Sequence, residues 1–262
     1  MSFHLSQMTS PAVGALEPKA IVILPLGSTE QHGPHLPTGT DTTIAVGLAE
    51  RAAEALNATA PESGQPAFLV APALGYGASG EHAGYVGTLS IGESAVEAVL
   101  TELVRSADDL SGVVVVNTHG GNERAVRRAA AALREEGRRC LHWSPGAVLA
   151  GQAAAQACGG RPVDAHAGWF ETSLMLAVEP GLVRLDLAEP GDPRPLADVL
   201  GLLVADGVAA VSANGVLGDP RGATRELGEA LMEVLVADLV SSVADWARLV
   251  GADAHPPEIG AR

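Results

Sequence analysis

Apolar and polar positions fall along this chain in blocks that predict strands separated by helices. Residues 20–26, AIVILPL, are short, rich in β-branched side chains and stopped by Gly27, the mark of a buried strand. Residues 67–71, closed by Pro72, residues 112–117 with four successive valines, and residues 139–143 predict three more. Between them the period changes. Residues 42–56 carry Ile44, Leu48, Ala52 and Leu56 on one stripe, and residues 94–110 and 123–136 also have helical character, the last stopped at Gly137 as a C-terminal cap requires. Residues 57–66 read as a turn-rich loop, 145–157 as a helix, 186–195 as a proline-rich loop and 215–223 as a turn. A long final helix follows with Leu227, Leu231, Val234 and Leu235 as its core stripe. Residues 1–18 have no clear period and predict an arm, the tail from Gly251 is expected to be mobile, and no internal repeat is present. Strands alternating with helices imply right-handed crossovers and a mainly parallel sheet covered on both faces: an α/β protein of three layers, α/β/α, in one domain over residues 1–262.

Composition narrows the partners. With 47% hydrophobic residues the chain can bury one substantial core, and a formal net charge of -15 argues against nucleic acid or an anionic membrane surface, both of which need basic patches. No positive and apolar leader opens the chain and no apolar run reaches spanning length, so the cytoplasm is the expected compartment. Cys140 and Cys158 are far apart and outside any CxxC spacing, which predicts buried structural cysteines rather than a disulfide or thiolate zinc site.

The chemistry is concentrated in the loop after the first strand. Residues 27–41, GSTEQHGPHLPTGTD, place Glu30 and His32 two apart, on one face if extended, and Asp41 at the opening of the next helix. His119 follows the all-valine strand, and His166 and Glu171 flank the start of an apolar helical segment. Sites in parallel sheets form beyond the carboxyl ends of the strands, where Glu30, His32 and His119 lie. Glu30, His32, Asp41, His119 and Glu171 make a nitrogen and oxygen set without thiolates, suited to zinc, manganese or iron(II); five ligands permit two ions, with Asp41 as the bridge. His166 is the natural proton shuttle for amide hydrolysis. Each residue has a duller reading: Asp41 or Thr40 as a helix cap, Glu171 as a solvated helix-start carboxylate, Trp143 and Trp169 as packing. The glycine-rich stretch 75–88 reads as a functional loop, with Glu81 and His82 as candidate substrate contacts, and Trp169 could wall the site.

These motifs, GSTEQHGPHLP, Asp41, SGEH, HGGN and HAG followed by ETS, resemble the creatininase family of metal-dependent amidohydrolases over residues 20–246. The resemblance implies a three-layer α/β/α fold, two divalent metal ions and closed homo-oligomers, frequently hexamers. It makes Glu30, His32, Asp41 and His119 metal ligands and His166 the catalytic histidine. Gly121 stands where creatininase proper has a glutamate ligand, so Glu171 is expected to supply the missing acid. Thr118 and Tyr85-Val86 also depart from the usual glycine and Phe-Pro. WSP at 143–145, LML at 174–176 and ANGVLGDP at 213–220 point to a peptidase branch of the family, which implies a modified precursor peptide, cut from glycine to valine near its C-terminus, as substrate. Alternatives are a small cyclic amide or formamide as substrate, and a non-catalytic metal-stabilised scaffold.

Overall fold

In the computed structural model, which describes residues 3–63 and 66–252, four parallel strands form the centre of the protein. They are β1 (Ile21–Leu26), β2 (Phe68–Val70), β3 (Gly112–Asn117) and β4 (Cys140–Trp143), in the order β2-β1-β3-β4, with Ile21 opposite both Phe68 and Gly112. The helices, in chain order, are α1 (Ser10–Gly14), α2 (Thr40–Ser63), α3 (Glu93–Arg105), α4 (Glu123–Glu135), α5 (Gly146–Leu149), α6 (Gln152–Ala157), α7 (Trp169–Val178), α8 (Leu196–Asp206) and α9 (Arg225–Ala252).

Alternation along the strands divides the core. Ile21, Ile23, Val114 and Val116 face α2, α7 and α9, where Leu48, Leu174, Met175, Leu231 and Met232 complete one apolar cluster. Leu24, Leu26, Val113 and Val115 face α3 and α4, against Val96, Leu100, Val126 and Leu133. The three layers expected from the strand and helix alternation are therefore present. The N-terminal stretch lies against β2: the Val70 amide donates to the Phe3 carbonyl at 2.7 Å, and Leu5, Met8, Val13 and Leu16 pack on Ala20, Val22 and Leu69.

Several boundaries differ from expectation. The helix expected to end at Leu56 runs to Ser63, absorbing most of the expected loop. Asn57 does not break it, because its side-chain amide turns to Phe68, donating to the carbonyl at 2.8 Å and accepting from the amide at 2.9 Å, and so extends the edge of β2. Residues 145–157 divide into α5 and α6 around Gly151. In α9 the buried stripe takes Met232 where Val234 was expected. Gly251 and Ala252 belong to α9, and the rest of the expected tail, 253–262, lies outside the described residues. Helix α8 has no counterpart in the expectation: Val199 and Leu203 are buried with Val208 and Leu217 while Leu196, Leu200, Leu202 and Val204 are exposed, so apolar residues fall on nearly every side and no polar face sets off a stripe. Among the described residues no helix is long and apolar enough to cross a membrane.

Truncating Ile23, which is fully buried in the centre of β1, should cost about 2–5 kcal/mol in urea unfolding, whereas Leu200→Ala on the open face of α8 should stay within about 0.5 kcal/mol.

Candidate metal centre and catalytic site

The five expected ligands meet where β1 and β3 end. Glu30 and His32 lie on the loop after β1, His119 two residues beyond β3, Asp41 in the first turn of α2 and Glu171 in the first turn of α7. A helix N-terminus favours a carboxylate, so the fold supplies two of the three acids at positions that lower the cost of their charge. Glu30, His32, Asp41 and His119 are all buried.

Asp41 joins two groups of donors. Its Oδ2 lies 3.3 Å from His119 Nδ1 and accepts from the Ser28 hydroxyl at 2.6 Å; its Oδ1 lies 3.3 Å from His32 Nε2. Glu30, Asp41 and His119 bring their donor atoms within 4.8 Å of one another, and so do His32, Asp41 and Glu171. The backbone orients both rings. His32 Nδ1 faces the Glu30 carbonyl at 3.1 Å and His119 Nε2 the Ala78 carbonyl at 3.1 Å, so each of these nitrogens donates and the other is aimed at Asp41. Asp41 is not a helix cap: its carboxylate turns into this cluster, and the hydroxyl of Thr40 binds the Pro37 carbonyl at 2.7 Å.

The buried acids and imidazoles shift one another's affinity for protons. Burial, aided by Asp41, raises the Glu30 carboxyl to about 7 against the pull of His119. Burial raises Glu171 to about 7. Burial opposes charge on His32 and His119 too, but Asp41 beside His32 lifts it to about 9, and Glu30 with Asp41 lifts His119 to about 10. Those protons hold the place that a divalent ion takes on binding, when ligands must release them. Neither oxygen of the Glu30 carboxylate, although buried, accepts a hydrogen bond. An orphaned buried carboxylate among imidazoles and acids, with no thiolate near, fits a hard or borderline divalent metal.

Beside this cluster the side chain of Gln31 sets two more histidines. Its amide nitrogen donates to the Gly215 carbonyl at 3.0 Å and to His82 Nδ1 at 2.9 Å, while its oxygen accepts from the Gly33 amide at 2.8 Å. His82 Nε2 therefore carries its proton toward Glu30 Oε1, 3.4 Å away. His166 Nε2 donates to the Gln31 carbonyl at 2.9 Å, which leaves the Nδ1 lone pair facing Glu30 Oε1 at 3.8 Å. Burial first, then His32 and His82, hold the His166 ring well below its ordinary value, so it is neutral and able to accept a proton. The backbone of Leu217 pairs with that of His166, and Ala167, at a φ of 53°, turns its amide onto Glu171 Oε2 at 2.6 Å.

Above the cluster opens a cavity of about 890 Å³, floored by Glu30, Asp41, His119, His166 and Glu171. Glu81 and His82 line it from the turn at residues 80–82, and Leu196, Leu200, Leu203 and Val204 line it from α8. Trp169, expected to wall it, does not. It is buried with its indole N–H on the Pro162 carbonyl at 3.0 Å and Arg161 over its ring, because its place at the start of α7 turns it away from the cavity. Glu171, expected as the acid of a second ion, lies at ligand spacing with His32 and Asp41 but not beside Gly121, where the bordering carboxylate is that of Glu81. Gln31 escaped the sequence reading because its partners are up to 184 residues away, and Ser28, whose partner Asp41 is only 13 residues on, because a hydroxyl in a loop carries no signal of its own.

A parallel three-layer sheet with this donor set at its carboxyl ends defines a metal-dependent amide hydrolase. The profile of the family described as creatininase, creatinine amidohydrolase, matches residues 6–243, and the chain belongs to that family. It is 45% identical to a protein of Mycobacterium ulcerans named mycofactocin precursor peptide peptidase, over 86% of this chain and 85% of that one. A Mycobacterium tuberculosis protein of the same name is 42% identical over 93% and 91%. The creatinine amidohydrolase of Pseudomonas putida is 27% identical over 86% and 89%. Among solved structures, one titled creatininase Mn superposes with a TM-score of 0.76 at 26% identity, covering 94% of this chain and 98% of that one. A putative creatinine amidohydrolase from Bacteroides fragilis superposes with a TM-score of 0.77 at 25% identity, over 94% and 96%.

Gly215 has a φ of +80°, and a Cβ there would lie 1.9 Å from Gln31 Oε1. Gly215→Ala should therefore dislodge Gln31 and both histidines it sets, lowering kcat about 10- to 100-fold while metal content, read by inductively coupled plasma mass spectrometry, is unchanged.

Proposed function

We propose that this chain is a metal-dependent peptidase of mycofactocin biosynthesis. It hydrolyses the glycine to valine amide bond of the modified mycofactocin precursor peptide and releases the crosslinked, decarboxylated C-terminal Val-Tyr dipeptide. The likeness to relatives of that name supports the pathway. The observation that carries the chemistry is the Asp41-joined pair of donor groups, with the orphaned Glu30 carboxylate between the imidazoles, beneath a cavity of small-ligand size. In this reading Glu30, Asp41 and His119 hold one divalent ion and His32, Asp41 and Glu171 a second, zinc or iron(II) foremost and manganese also admitted. When bound, such ions supply a water acidic enough to ionise near neutral pH and a Lewis acid for the amide carbonyl.

The protein's own groups do the rest. His166 Nδ1 accepts the proton of the attacking water and returns it to the leaving nitrogen, its ring held by the Gln31 carbonyl through both transfers. The apolar side chains of α8 and the turn at 80–82 keep the peptide end over the floor and exclude bulk water. A closed homo-oligomer, with a hexamer as the expected form, belongs to the same reading, and exposed Leu182, Leu185 and Leu187 are candidate contacts for it. The family description favours one rival, hydrolysis of a small cyclic amide or formamide on the same centre.

Mass spectrometry of the crosslinked precursor peptide after incubation with protein loaded with iron(II), zinc or manganese should show the released dipeptide. His166→Ala should lower kcat by about 10²–10⁴-fold. No cleavage by metal-loaded protein, with turnover of creatinine or a formamide instead, would transfer the assignment to the rival.

A further inference from the structure

Gly121 sits at the edge of the donor cluster with no room for a side chain. A Cβ there would lie 2.2 Å from the Ala78 carbonyl, 2.5 Å from His119 Nε2 and 2.6 Å from Glu81 Oε1. The space beside the His119 ring is thus occupied by the Glu81 carboxylate, which reaches across from the turn at residues 80–82. Glu81 Oε1 is 3.7 Å from His119 Nε2, and a Glu81 carboxylate oxygen lies within 4.8 Å of one on Glu30. The turn that carries Glu81 is anchored to the site. Asn122 accepts from the Ala78 amide at 2.8 Å and donates to the Gly27 carbonyl at 2.9 Å, joining the turn, the end of β1 and the segment after β3.

Two aspects of the cluster place a cation, and a further acid to balance it, on this side. The Glu30 carboxylate is buried with both oxygens unpartnered, so positive charge is required where Glu30, His119 and Glu81 converge. Two divalent cations would also bring four positive charges against the three carboxylates of Glu30, Asp41 and Glu171, the histidines being neutral when they ligate. A fourth carboxylate balances them, and Glu81 is the acid whose oxygen lies with Glu30 and His82 in a group of ligand spacing.

We propose that Glu81 is a ligand of the ion held by Glu30, Asp41 and His119, entering through the space that Gly121 leaves open. This rests on the metal-dependent reading of the site. It also makes the cavity wall and the metal centre one unit: the Glu81 carbonyl faces Gly207 at the end of α8, where an added Cβ would lie 2.8 Å from it.

The test is metal binding, independent of turnover. Wild type, Glu81→Gln and, as a control, Glu93→Gln would be stripped, loaded with zinc, dialysed and counted by inductively coupled plasma mass spectrometry, with affinities from competition against a chelator. Glu93 lines the same cavity but is paired with Arg124 and Arg128. Wild type and Glu93→Gln should retain two equivalents, and Glu81→Gln one, with affinity for the other weakened about 10- to 100-fold. Retention of both ions by Glu81→Gln at unchanged affinity overturns the proposal and leaves the peptidase reading intact; a wild type that binds no metal overturns both. Glu81→Cys loaded with cadmium gives a second readout should the glutamine variant fold poorly. A thiolate-to-cadmium charge-transfer band beyond that of wild type supports ligation, and a folded variant holding two cadmium ions without that band contradicts it.

Discussion

A carboxylate with no hydrogen-bond partner governs this protein. Glu30 is fully buried, and its two oxygens face nitrogens of His82, His119 and His166 at 3.3–3.8 Å, contacts whose alignment makes no hydrogen bond. An ionised carboxylate so placed costs several kcal/mol unless a counter-charge is supplied, and in the protein alone it is answered by a raised affinity for protons. The surrounding acids make the same demand. Burial pushes Glu171 up, and Asp41 keeps its charge only because His32 and His119 are drawn to hold protons beside it. A fold that keeps such a group buried is stabilised by what binds there.

The architecture makes the arrangement possible. Strands β1 and β3, buried on both faces, are rigid, so the loops leaving their ends begin from fixed points. The N-termini of α2 and α7 deliver Asp41 and Glu171 with their backbone dipoles aimed at the negative charge. Polar side chains then fix what the helices deliver: Ser28 holds Asp41, the hydroxyl of Thr118 binds the Asp41 carbonyl at 2.8 Å, and Gln31 sets the tautomers of His82 and His166. The outcome is a division of labour among imidazoles. His32 and His119 aim nitrogens at Asp41, His82 aims a proton at Glu30, and His166 aims a lone pair into the cavity floor.

What could be read from the chain alone was what is local. The strands announce themselves by runs of β-branched residues, and Glu30, His32, Asp41 and His119 follow them closely enough for strand direction to bring them together. That Asp41 could link two donor groups followed from its having two carboxylate oxygens; its place at a helix start spoke equally for a cap. What could not be read depends on distant partners. The importance of Gln31 rests on Gly215, that of Gly121 on Glu81, and α8 hides because its apolar residues are shared among a small core cluster, the cavity and solvent, leaving no polar face to mark it. Trp169 was misplaced for the same reason: adjacency to His166 and Glu171 in sequence does not decide which side of a helix a ring takes.

The central claim, that the fold holds uncompensated negative charge for divalent cations, is tested most directly by the thermal stability of wild type and Glu30→Gln with and without metal. The account predicts that the order reverses. In chelator the glutamine variant melts higher, since a neutral amide replaces an unpartnered carboxylate, and with zinc or manganese present the wild type melts higher. A glutamine variant that melts lower in chelator as well as in metal would contradict it, because the Glu30 carboxylate would then be satisfied by the protein alone.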